Sequence, residues 1–71
     1  MGSALMDGAD LANLAARYGW VNVGGTKHPY LLKKAGMRPV PVRHKLQNPN
    51  EIRGILKQLG IPRTDWPAVV A

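Results

Sequence analysis

Seventy-one residues make one domain with no room for a second, and a chain this short buries only about 60% of its unfolded surface, so its core must be thin and two-layered. With no cysteine there is neither a disulfide staple nor a thiol nucleophile, and no apolar run approaches the roughly 18 residues of a membrane span. Ten Lys and Arg face four acids, for a net charge of +6.

The N-terminus lacks the charged start and long apolar stretch of a signal peptide, so a cytoplasmic location and no membrane partner are expected. Met6-Asp7-Gly8 has the look of a second start, which marks residues 1–6 as a leader. The first helix begins there. Leu11, Leu14, Ala15 and Tyr18 recur at i, i+3, i+4 and i+7, one helical stripe. Asp7 is placed to cap it, and Gly19 supplies a left-handed stop.

Three short β-prone runs follow: Trp20–Val23, Pro29–Lys33 and Met37–Val42. Pro39 and Pro41 cannot donate ladder hydrogen bonds, which sends the third run to a sheet edge. The second helix is announced by Asn48-Pro49-Asn50-Glu51, with a capping side chain, proline at N1 and glutamate at N3. Ile52, Ile55, Leu56 and Leu59 form its apolar stripe, Gly60 ends it and Pro62 prevents resumption. Residues 62–71 are a tail with Trp66 as its large anchor.

The order helix, three strands, helix predicts an α+β two-layer sandwich over residues 7–61. Its three-stranded antiparallel sheet carries both helices on one face, and basic residues are expected on the other. Between positions 27 and 45 stand six cations (Lys27, Lys33, Lys34, Arg38, Arg43 and Lys45), both histidines and no acid. Such a stripe is the electrostatic footprint of a polyanion partner.

The remaining chemistry is narrow. The acids are too few and scattered for a paired-carboxylate site, His28 and His44 lack partners at metal-ligand spacing, and the glycines form no phosphate-binding loop motif. Imidazole acting as acid or base among cations remains, and it suits RNA. The 2′-hydroxyl is a built-in nucleophile, so the protein need only move a proton and stabilise charge on phosphate. In Gly25-Thr26-Lys27-His28, glycine permits close backbone approach, Thr26 offers a hydroxyl and Lys27 a cation. Read from the residues alone, a lone histidine entering a strand is more often structural than catalytic, and His28 and His44 stand equal.

The order and spacing of several motifs over residues 7–61 resemble the HicA toxin family. Tyr18-Gly19-Trp20 closes the first helix, and Gly25-Thr26-Lys27-His28 stands where the family has Gly-Ser/Thr-x-His. Val40-Pro41-Val42-Arg43-His44 is similar to its Val-Pro-x-x-His stretch, and Glu51–Ile61 is similar to its closing helix. Pro29 departs from the pattern, which often has a second histidine or a polar residue there. The resemblance implies a double-stranded-RNA-binding-like α-β-β-β-α fold and a cofactor-independent endoribonuclease that cleaves mRNA as the toxin of a toxin–antitoxin pair. It places catalysis at His28 and implies a HicB-type antitoxin as partner. Gly25, Thr26, Lys27, Lys33, Lys34, Arg38, Arg43 and Lys45 are the expected RNA contacts. A non-catalytic RNA-binding module of the same fold is the competing expectation, since fold alone does not confer activity.

Overall fold

A computed structural model describes residues 4–24 and 29–71. Its elements are β1 (Met6–Asp7), α1 (Gly8–Ala16), β2 (Val21–Asn22), β3 (Tyr30–Lys33), β4 (Val40–Val42), β5 (Lys45–Leu46), α2 (Pro49–Leu59) and a 3₁₀ turn (Arg63–Asp65). The fold is α+β, with an antiparallel sheet ordered β2-β3-β4 and a separate antiparallel pair β1-β5.

Both helices form as their sequences dictate. Asp7 occupies the N-cap of α1, yet its side chain makes no capping bond; the carboxylate instead accepts from Lys45 Nζ at 2.8 Å. Gly19 has φ 92°, the left-handed stop that an L side chain resists. At α2 the Asn48 side chain accepts from the Asn50 amide at 2.8 Å, with Pro49 next to the cap. Gly60 ends the helix at φ 73°, and the Ile61 amide turns back to the Leu56 carbonyl at 3.1 Å.

The core lies between the sheet and the helices. Leu32, Val40 and Val42 from the sheet meet Leu11, Ala12 and Ala15 of α1 and Ile52, Leu56 and Leu59 of α2 in one buried cluster, joined by Trp20 and Leu46. Leu14, Tyr18 and Ile55, at the margins of the expected stripes, are only partly buried. The tail continues this packing. Trp66 and Val70 are buried, and the Trp66 indole donates to the Ile61 carbonyl at 2.9 Å. At the other end the Leu5 amide donates to the Leu46 carbonyl at 2.8 Å.

Strand alternation assigns the faces. Leu31 turns its polar groups toward β2: its amide donates to Asn22 Oδ1 at 3.1 Å and its carbonyl accepts from the Val23 amide at 2.8 Å. Tyr30 and Leu32 therefore turn theirs toward Val42 and Val40, their register partners on β4. Pro41, and Pro39 two residues earlier, face outward, where a proline removes no ladder bond. The outer edge of β4 thus lacks N–H donors at both positions, which blunts it against pairing with another chain.

The uncovered face corrects one expectation. Instead of a basic surface it presents Val21 and Val23, 60% and 50% exposed, together with half-buried Leu31 and exposed Pro41. Lys33, opposite Val21, is its cation, and the other described cations of the stripe lie at the two ends of the sheet. Period-two alternation over Leu31-Leu32-Lys33 cannot yield a polar face when four of the five open positions named here are Val, Leu or Pro.

Candidate functional site

The four residues of the candidate catalytic motif, Gly25, Thr26, Lys27 and His28, lie outside the described residues. Gly24 and Pro29, which bracket them, follow β2 and precede β3. At that end of the sheet stand Tyr30, Arg43, His44 and Lys45. The Tyr30 and His44 rings meet edge to face, with centroids 5.5 Å apart and planes at 81°. His44 is exposed, and its carbonyl accepts the Gly8 amide at 2.7 Å. This fixes the backbone of the β4–β5 connection against the start of α1.

Arg43 and Lys45 are not bare charges. Arg43 pairs with Glu51 at 3.1 Å and Lys45 with Asp7 at 2.8 Å. The hydrogen bond from Lys45 to Asp7, and the negative charge it meets there, raise its ammonium above the usual lysine value. Both pairs are exposed and therefore weak. A phosphate arriving here competes with a carboxylate for each cation. Arg43, Lys45, Gln47, Asn48 and Glu51 line a shallow cleft of about 340 Å³, open to solvent and polar.

Lys33, Lys34 and Arg38 are at the opposite end of the sheet. Tyr30 to Lys33 spans about 10 Å at 3.4 Å per residue. All three side chains are exposed, and none forms an ion pair among the described residues. The single stripe read along the sequence is therefore two sites in space. One, at the Tyr30 end of β3, contains cations balanced by acids. The other is uncompensated and lies one strand length away.

Among the described residues no group of three or more His, Asp or Glu could hold a metal ion, and no helix is long and apolar enough to cross a membrane. The Tyr30–His44 contact was not anticipated, since nothing in spacing brings two residues 14 apart together; it follows from the register Tyr30 opposite Val42. The class this geometry defines is a small α+β domain with a basic pole and a one-sided sheet. Compared with known proteins, the chain matches no family model, no curated protein and no solved structure.

Proposed function

We propose that this protein is a metal-independent endoribonuclease of HicA type, with a double-stranded-RNA-binding-like fold, that cleaves mRNA through His28. The observation that carries the reading is the charge distribution. No acid occurs from residue 11 to residue 50, and Lys33, Lys34 and Arg38 from that stretch are exposed without acidic partners among the described residues. The motif Gly25-Thr26-Lys27-His28 supplies the imidazole, and the α-β-β-β-α order of the three-stranded sheet and its helices agrees with the fold the resemblance implies.

The chemistry is self-contained in RNA. The His28 imidazole takes the proton of a 2′-hydroxyl, and the oxygen attacks the adjacent phosphorus. The bond to the 5′-oxygen breaks as a 2′,3′-cyclic phosphate forms, and the departing oxygen takes up a proton from the imidazolium or from water. Lys27 and neighbouring cations stabilise the charge gathered on the phosphate. DNA, lacking the hydroxyl, is bound and not cut. A HicB-type antitoxin is the proposed protein partner, and the apolar strip Val21, Val23, Leu31 and Pro41 gives such a partner a surface to cover.

The test is incubation of the purified chain with RNA and with DNA of the same sequence, in excess EDTA. The proposal expects RNA fragments ending in cyclic phosphate, and intact DNA. RNA left uncut, or both polymers cut, overturns it.

A further inference from the structure

Five exposed cations gather at the pole formed by the C-terminal ends of both helices. Arg17 is the C-cap of α1, and the Lys34 side chain lies across the turn that follows, its Cε 3.4 Å from where a Cβ on Gly19 would stand. Lys33 closes β3. The turn carrying Arg38 shares a cleft with Gln58, next to Lys57 in the last turn of α2. The Trp20 indole, donating to the Leu59 carbonyl at 3.0 Å, ties the end of α2 to the start of β2.

Three of the four acids stand elsewhere, and the fourth, Asp65, forms no ion pair with these cations. Asp7 and Glu51 pair with Lys45 and Arg43, Asp10 is in the first turn of α1 and Asp65 in the 3₁₀ turn. Helix dipoles account for part of the pole, because Arg17 and Lys57 stand where a helix carboxyl end favours cations. They give no reason for Lys33, Lys34 and Arg38, which belong to a strand end and a turn. Like charges gathered at one end of a small domain repel, and a polyanion relieves that repulsion while shedding its counterions.

We infer that this pole is a second phosphate-contact site, which holds the single-stranded RNA flanking the cleaved bond. It is separate from the Arg43–Lys45 end of the sheet and recruits Arg17 and Lys57 to the RNA surface. The inference rests on the ribonuclease reading for the identity of the polyanion. Its geometry follows from the strand-length separation of the two ends of β3, which a few nucleotides span. Binding strength and chemistry are thereby assigned to different ends of the sheet.

The test uses a fluorescent 2′-O-methyl oligonucleotide of about 12 nucleotides, long enough to reach both ends and unable to be cleaved. Affinity is measured against salt for the wild type, Arg17→Gln/Lys34→Gln/Arg38→Gln, Lys57→Gln and Arg53→Gln, each with a thermal melt to establish folding. The triple variant is expected to bind at least about tenfold more weakly at low salt, with its log–log salt slope reduced by about 2, since each single-strand phosphate contact contributes about 0.7. Lys57→Gln should weaken binding by a few-fold and Arg53→Gln should leave it unchanged. A triple variant that folds and binds like the wild type overturns the inference. So does a wild type that binds poly-glutamate but not the oligonucleotide, which makes the pole a site for acidic protein. Because binding is read without cleavage, this result is independent of whether His28 is catalytic.

Discussion

The indole N–H of Trp20 meets the carbonyl of Leu59 at 3.0 Å, joining the start of β2 to the last turn of α2. A helix leaves its final carbonyls without intrahelical partners, and here one of them is satisfied by a buried side chain from 39 residues earlier. Trp20→Phe keeps most of the apolar volume and removes the donor, so the carbonyl stays buried and unpaired. A loss of about 1–3 kcal/mol is expected in urea unfolding. A loss under about 0.5 kcal/mol, within the range of ordinary surface substitutions, would show that water replaces the indole without cost.

Among the described glycines, Gly8 makes the tightest approach to its surroundings. Its amide donates to the His44 carbonyl at 2.7 Å, and a methyl group at its Cα would overlap the carbonyl oxygen of Arg43. Neither partner is a flexible side-chain end, so Gly8→Ala must displace backbone. The expected cost is at least the ~1–3 kcal/mol typical of overpacking. His44 should move with it, visible as a changed ring-proton shift against Tyr30. A Gly8→Ala chain that melts with the wild type contradicts this packing.

Substitutions along the helices should rank by burial. Leu11 and Ile52 are fully buried, so Leu11→Ala and Ile52→Ala are expected to lose about 2–5 kcal/mol, enough to unfold a domain this small. Leu14→Ala and Ile55→Ala, at partly buried positions, should lose less than their neighbours. Equal losses across the four would mean that the stripes are centred elsewhere.

That ranking shows where the sequence was legible and where it was not. Periodicity placed both helices, and the Asn48 cap, Gly19 and Gly60 marked three of their ends, because capping and left-handed stops are local chemistry. Periodicity does not say which residue of a stripe points at the middle of the core; that depends on how the helix rolls against Leu32 and Val40. The β1–β5 pair escaped notice because two-residue strands have no period to read. The charge stripe misled for a different reason. Arg43 and Lys45 looked equivalent to Lys33 and Lys34 along the chain, whereas Glu51 and Asp7 reach the former only in three dimensions.

The Asp7–Lys45 pair carries a pH dependence of known sign. Lys45 is raised above 10.5 by the Asp7 hydrogen bond and charge. Its contribution is therefore fully present below the unfolded value and fades as pH rises through the higher folded one. Unfolding followed from about pH 10 upward should show the wild type losing more stability than Lys45→Met, in which that proton is absent. Parallel curves would mean that the pair does not couple to folding.

The central claim is that one imidazole performs the chemistry. Its most direct test is the rate of RNA cleavage, in EDTA and at saturating RNA, by the wild type, His28→Ala and His44→Ala. Removing a general acid–base group should slow the reaction by about 10²–10⁴-fold at His28, while the His44 variant stays far closer to wild type. His28→Ala cutting RNA as fast as the wild type would contradict the account.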